Sequence, residues 1–525
     1  MVKKFNLLNS HPKLWALGGG ILMGLAPAPV NAWYLAWFAL TPLWLLIYNR
    51  QRSFKEILLL ALLWGVGYHG LALFWLTGIH PMTWMGVPWI ASLFIALFCW
   101  IFVTLWGAAL VSLWSILFVY LNQKIIIKTD KVIITRICFN VLLGVTLWCC
   151  LESLWSYGSL WWSSLSYTQS PNNLLILQLG KISGFNTVTA SLVAVNGLLA
   201  EVILFGHNLS RRNEKITAIA LPLSLFISFH FIGLSLYNIP IEKNNLEAIK
   251  VGIIQGNIPN EIKLYPKGLS QAIEGYTNGY RRLTKQGVDI VLTPETALPF
   301  YWKSIIDNSS FYEAVLQEKV PAWVGAFGTE GKSFTNSLFT LTVDGKTLSR
   351  YDKYKLVPFG EYIPFESILG KIINRLSPLD THLAAGKSQQ IFNTLFGQAI
   401  VGICYESAFS EHFRRQAKAG GQFIITASNN AHYSDTMPAQ HHAQDVMRAI
   451  ESDRWAARAT NTGYSAIVDP RGNTIWISDI NKYEIYAGTI YQRNNQTLYV
   501  KWGNWLTPML LLLSIIFMAI TVIKY

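Results

Sequence analysis

The chain has 525 residues, 52% of them hydrophobic, and a formal net charge of +13. That composition excludes a disordered chain and a purely soluble enzyme, and describes a membrane protein that carries a polar domain. The charge does not mark a nucleic-acid partner. Residues 245–500 hold 25 Lys and Arg against 23 Asp and Glu, so the positive excess falls in the apolar remainder and its short loops, where it reports topology and some attraction to anionic lipid heads.

In chain order, apolar runs fall at about 12–29, 33–49, 56–78, 88–120, 134–156, 187–207 and 216–238, with an eighth at about 504–523. Each is near the roughly 20 residues that cross a bilayer core. The fourth exceeds one span but reads as a single helix that tilts or projects. Lys3 and Lys4, then Arg50, Arg52 and Lys55, then Lys124, Lys128, Lys131 and Arg136, then Arg211, Arg212 and Lys215 occupy alternate loops. The intervening loops are nearly free of positive charge, and 157–186 has only Lys181. Both termini are therefore expected in the cytoplasm, with residues 241–500 on the outer side. The first run lacks a clear A-x-A cleavage site and is kept in the mature protein. The division expected is a seven-span membrane domain at 1–240, an extracytoplasmic domain at 241–500 and an eighth span with a cytoplasmic tail at 501–525. Glu152 and Glu201 lie inside apolar runs near their estimated ends, where solvated interfacial positions are expected. Cys99, Cys138, Cys149 and Cys150 read as small buried hydrophobes.

The polar half alternates strands and helices. AIKVGIIQGN is a β-branched strand, a helix-compatible stretch covers about 267–286, and DIVLTPE is a strand that ends at a carboxylate. PAWVGAF follows, then a hairpin in NSLFTLTVDGKTLSRYDK with Asp344-Gly345 as its turn. QAIVGIC is the next strand, then a helix at 408–419, the strand QFIITAS, a helical stretch at 438–460, and a hairpin in AIVDPRGNTIWI through Pro470-Arg471-Gly472. Such a pattern indicates a layered α/β domain, whose reactive side chains collect beyond the carboxyl ends of strands.

Glu295 and Cys404 both fall at such ends, and Lys353 follows the hairpin. Cys404 is the one cysteine outside the apolar runs, and a lone thiol in an outward-facing compartment is exposed to oxidation unless sheltered or kept for its reactivity. A thiol needs a general base and a nearby cation to gain thiolate character; Glu295 supplies the first and Lys353 the second. Lys353 is also placed to stabilise an oxyanion. Taken singly, the carboxylate reads equally as a cap and the lysine as a solvated charge.

P-E-T-A-x-P, Y-x-K-x-x-L-V-P-F-G-E-Y-x-P and G-I-C-Y-E occur here in one order. With them the chain resembles the apolipoprotein N-acyltransferases, membrane enzymes whose outward domain belongs to the nitrilase, or carbon–nitrogen hydrolase, superfamily. The resemblance covers essentially the whole chain. It implies about eight spans plus an αββα sandwich, with Glu295 as general base, Lys353 as transition-state stabiliser and Cys404 as nucleophile. Glu361, Tyr405 and Glu406 come with it as supporting residues, against the plain alternatives of salt bridging and packing. The reaction implied takes an acyl chain from a membrane phospholipid onto Cys404 as a thioester and passes it to the α-amine of a lipoprotein's N-terminal diacylglyceryl-cysteine. A bacterial inner membrane location, a monomer and no cofactor are expected.

Two stretches depart from the family pattern. NEIKLYP offers Leu264 and Tyr265 where the family usually has a Trp, and Asn429-Asn430-Ala431-His432-Tyr433 stands where N-D-A-W-F is common. His432, His441, His442 and Asp435 lack the spacing of a metal motif, and no metal is expected. Two rival readings remain: a membrane-anchored amidase that uses water to resolve its acyl-enzyme, and a non-catalytic outward binding protein. Lys353→Ala is expected to lose chemistry and keep its fold.

Overall fold

The computed structural model describes residues 10–48, 52–124, 133–205, 212–241, 247–331, 333–358, 360–362 and 383–523. Lys3, Lys4, Arg50, Lys128, Lys131 and Arg211, used above for orientation, lie outside the described residues. The chain forms two compact units. One comprises Met1–Leu76, Leu97–Ile239 and Trp502–Tyr525, and the other Thr77–Ala96 and Pro240–Lys501.

The first unit is helical. Its segments include α1 (Pro12–Gly24), α2 (Thr41–Ile47), α3 (Phe54–Ala72), all but the first turns of α4 (Trp89–Lys124), α5 (Ile133–Trp155), α6 (Phe185–Phe205), α7 (Arg212–Tyr237) and the late helix Leu506–Ile523. Among the described residues five helices are long and apolar enough to cross a bilayer, at 54–72, 89–124, 134–155, 185–205 and 220–237. The runs at 12–29 and 33–49 are helical only in part. α1 stops at Gly24, short of Pro27 and Pro29, and the second run splits into a 3-10 turn at Trp33–Trp37 and α2, with a proline in its first turn. A ring that fixes φ and removes an N–H ends one helix and starts the next. The fourth run is one helix of 36 residues, about 54 Å at 1.5 Å per residue and longer than a core of about 30 Å. α3 begins at a capping box, in which Glu56 N–H donates to Ser53 Oγ at 3.3 Å and Ser53 N–H to Glu56 Oε2 at 2.8 Å.

Glu152 and Glu201 are not solvated as expected; both are buried inside this unit. Leu165 N–H and the Thr189 hydroxyl donate to the Glu152 carboxyl at 2.9 and 2.6 Å, while Trp44 and Asn140 donate to Glu201 at 3.0 Å each. Each group thus trades water for donors from neighbouring segments, the arrangement that lets a polar group sit in an apolar bundle. Of the four cysteines in the apolar runs only Cys149 is buried, and Cys138 is exposed.

The second unit holds two six-stranded sheets. The first runs β12-β1-β2-β3-β4-β5, from β1 (Ala248–Gln255), β2 (Ile290–Leu292), β3 (Ala322–Glu330), β4 (Ser333–Leu341), β5 (Thr347–Asp352) and β12 (Glu484–Tyr491). The second runs β11-β10-β9-β8-β7-β6, from β6 (Phe392–Thr394), β7 (Gly397–Ile403), β8 (Phe423–Ser428), β9 (Ala456–Thr460), β10 (Ala466–Val468) and β11 (Thr474–Ile477). Val251, Ile253, Leu292 and Trp323 of one sheet meet Val401, Ile403, Ile425 and Ala457 of the other in a fully buried layer. On the outer side of the first sheet, α8 (Pro266–Thr284) and α9 (Ser310–Glu318) bury Tyr276, Tyr280, Leu283 and Phe311 against Val291 and Val324. The second sheet is flanked by α10 (Ser410–Lys418) and α11 (Thr436–Ser452). This is the αββα sandwich that the resemblance implied.

Asp344-Gly345 makes the expected turn, with Gly345 at φ +80° and β4 and β5 antiparallel. The helical stretch expected at 438–460 does not run through. It ends at Ser452, where Asp453 turns left-handed, and residues 456–460 form β9. Ala-Ala-Arg-Ala-Thr has helical propensity, but parallel pairing with β8 and full burial decide its state.

Candidate active site

Three strand ends deliver the predicted trio. Glu295 lies three residues past β2, Lys353 directly follows β5, and Cys404 directly follows β7. The turn that carries Glu295 is pressed against β3: a Cβ on Gly325 would stand 2.0 Å from Pro294 O and 2.9 Å from Thr296 N, so only glycine permits the approach. Thr296 and Cys404 are themselves left-handed, at φ +43° and +52°, conformations that non-glycine residues adopt only where the surroundings impose them.

Lys353 is buried between two carboxylates, with Nζ 2.9 Å from Glu295 Oε1 and 2.8 Å from Glu361 Oε1. Asn336 Nδ2 donates to Glu295 Oε1 at 2.6 Å and to Glu361 Oε1 at 3.4 Å. Burial alone would raise the Glu295 carboxyl, but Lys353, together with Lys263 and Asn336, more than offsets it and holds the group below its ordinary 4.5. Burial would also strip Lys353 of its proton, yet Glu295 and Glu361 hold the ammonium protonated well above the usual lysine range. Glu361 is shifted upward, by burial first and by Glu295 beside it.

Cys404 is buried, and its Sγ lies 3.7 Å from Asn429 O. Burial, reinforced by Glu295, pushes the thiol up to about 12 despite the pull of Lys353. The expected drift toward thiolate is therefore overturned in the resting site, because desolvation outweighs the nearby cation. A carboxylate held low and a thiol pushed high within reach of each other's charge suit proton transfer during attack better than a standing thiolate.

Glu406 is fully buried two residues beyond Cys404 and accepts N–H groups from both sides of the site. Ile403 N–H donates to Oε2 at 2.7 Å, and Tyr354 and Lys355 N–H donate to Oε1 at 2.7 and 3.1 Å. The Tyr351 hydroxyl is 2.9 and 3.0 Å from the two oxygens. This carboxylate ties the segment after Lys353 to the turn of Cys404. Glu406→Gln turns an amide N–H toward backbone donors, and a loss of about 2 kcal/mol in unfolding free energy is expected, measured by denaturant titration in detergent. Tyr405 packs edge-on against Phe409, with ring centroids 5.1 Å apart.

Sequence reasoning missed Lys263, whose Nζ donates to Thr296 Oγ1 at 2.9 Å and Glu295 O at 3.2 Å. Burial lowers this ammonium to about 8, against the pull of Glu295 and Cys404. Asn336 and Asn429 were also missed; Asn429 is held by Asn260 and Asn461, each at 3.1 Å. Lys263 and Asn429 lie in the two stretches that depart from the family pattern, but neither stretch gave them a role, because all three residues reach the site from separate elements. Of the departures, Tyr265 is 47% exposed and so does not replace a Trp packed inside the site. His432 stacks on Trp84 of the 77–96 segment, with centroids 6.2 Å apart and planes at 28°. The three histidines are not gathered: His441 Nε2 is 2.8 Å from Cys404 O, and His442 Nε2 is 3.0 Å from Thr474 Oγ1.

The family model described as Carbon-nitrogen hydrolase matches residues 250–492, and that described as Apolipoprotein N-acyltransferase N-terminal domain matches residues 19–198. A Nostoc protein named apolipoprotein N-acyltransferase is 55% identical over 94% of this chain and 96% of its own length. Relatives of the same name from Synechocystis and Gloeobacter violaceus are 48% and 34% identical, each over 94% of this chain and over 98% and 91% of their own lengths.

Proposed function

The chain belongs to the apolipoprotein N-acyltransferases, and from that premise we propose a ping-pong acyl transfer on Cys404. Its activity is lipoprotein N-acylation in a bacterial membrane, with lipid and lipoprotein as substrates. In the first half, the Glu295 carboxylate takes the thiol proton as sulfur attacks an ester carbonyl of a phospholipid. Lys353 stabilises the oxyanion. The C–O bond breaks, Glu295 returns the proton to the leaving lysophospholipid, and a thioester remains. In the second half, the α-amine of a diacylglyceryl-cysteine attacks the thioester and the C–N bond forms. Glu295 accepts a proton from the amine and returns it to sulfur as the C–S bond breaks. The protein works as a monomer in the inner membrane, with residues 241–500 outside and both termini in the cytoplasm.

The observation that carries this reading is the buried Lys353 ammonium held within 3 Å of Glu295 and Glu361, with the buried Cys404 at a neighbouring strand end. The amidase and binding-protein alternatives are not favoured, since the match extends over residues 19–198 of the helical half. The test is intact mass of the purified protein after incubation with phospholipid and no acceptor. A fatty-acyl adduct that a diacylglyceryl-cysteine peptide discharges faster than water is expected; no adduct on folded protein defeats the mechanism. Glu295→Gln is expected to slow adduct formation by about 10²- to 10⁴-fold. Because Glu295 must be ionised and is held below 4.5, the acid limb of the wild-type rate should lie below that value and vanish in Glu295→Gln.

A further inference from the structure

Cys404 holds a left-handed backbone at φ +52°, and such a conformation persists only where neighbours fix it. Its amino side is fixed by Glu406, which accepts the preceding N–H of Ile403 at 2.7 Å. Its carbonyl side meets a residue from α11 that the mechanism does not use. We propose that His441 is a positioning residue, whose Nε2–H grips the Cys404 carbonyl and keeps the thiol aimed at the acyl carbonyl. This rests on Cys404 being the nucleophile.

His441 is completely buried, with Nε2 2.8 Å from Cys404 O and Nδ1 3.1 Å from Asn430 Nδ2. An amide NH₂ only donates and a carbonyl only accepts, so Nδ1 carries the lone pair and Nε2 the hydrogen. Burial, with Arg458 nearby, pushes the imidazole down to about 3 against the pull of Asp445, the Cys404 carbonyl and Glu295. The ring is neutral and keeps that tautomer. Asn430 is in turn confined. A Cβ on Gly463 would fall 2.1 Å from its Oδ1, which also accepts from Arg458 Nη2 at 3.5 Å, and Arg458 is paired with the buried Asp445. The chain Asp445, Arg458, Asn430, His441 thus ends on the carbonyl of the nucleophile itself.

The experiment uses full-length protein in detergent and follows acyl-enzyme by intact mass across a phosphatidylethanolamine concentration series. His441→Leu is expected to lower the saturating rate about 100-fold, the scale of a misplacement near 1 Å, with the half-saturating lipid concentration unchanged. His441→Gln is expected to recover to within about tenfold of wild type, since its amide N–H reaches roughly where Nε2 stands. Asn430→Ala leaves the imidazole but frees it, and about a tenfold loss is expected; it decides the matter if His441→Leu does not fold. A folded His441→Leu or Asn430→Ala at the wild-type rate overturns the role, as does a Gln variant no better than Leu. Wild-type protein that forms no acyl-enzyme overturns the reading beneath it, and the positioning role with it.

Discussion

Cys404→Ala is expected to form no acyl adduct and to lose lipoprotein N-acylation altogether, while keeping its fold. The thiol makes little structural contribution: its Sγ contact with Asn429 O, at 3.7 Å, is a weak hydrogen bond. Alanine keeps the Cβ, so the left-handed backbone at this position is no more strained than before. Removing one small buried group should cost about 1 kcal/mol and move the melting temperature by a few degrees. The chemistry has no such reserve. The other four cysteines lie at 99, 138, 149 and 150, within the apolar runs and outside the unit that holds Glu295 and Lys353. Intact mass with phospholipid and thermal unfolding, measured on one preparation, separate the two effects. A persistent adduct in the folded variant would place the nucleophile elsewhere.

Much of this site was legible because its parts sit at strand ends with local signals. β-branched runs marked β1, β7 and β8, and Asp344-Gly345 marked the β4–β5 hairpin, which fixed where Lys353 emerges. What escaped was set by distant partners. Residues 456–460 read as helix until parallel pairing with β8 claimed them. Lys263 and Asn336 reach Glu295 from 32 and 41 positions away, distances over which spacing carries no signal. Glu152 and Glu201 read as interfacial because their donors, Leu165, Thr189, Trp44 and Asn140, come from other segments. His441 was weighed only as a metal ligand, since a bond to a backbone carbonyl 37 residues away leaves no motif.

Lys353→Met is expected to abolish acyl transfer and also to destabilise the protein, against the sequence-based expectation that loss of this lysine leaves folding intact. The ammonium is 1% exposed and within 3 Å of Glu295 and Glu361, so its removal leaves two buried carboxyls facing each other. Breaking such a pair from one side typically costs about 3 to 5 kcal/mol. Part of that penalty is avoidable by protonation: without the cation both carboxyls rise, and one takes up a proton. The sign follows from linkage. A carboxyl whose folded value rises above its unfolded one stabilises the fold at low pH and costs stability as pH climbs through the unfolded range, so the variant should be least deficient in acid and most deficient near neutrality. Adding Glu361→Gln removes one charge and should recover stability at neutral pH without recovering activity, because the oxyanion still lacks its cation. Chemical unfolding of wild type, Lys353→Met and the double variant at two pH values measures this. Equal stability of wild type and Lys353→Met at neutral pH would mean that the two carboxyls find water or other donors when the lysine is gone.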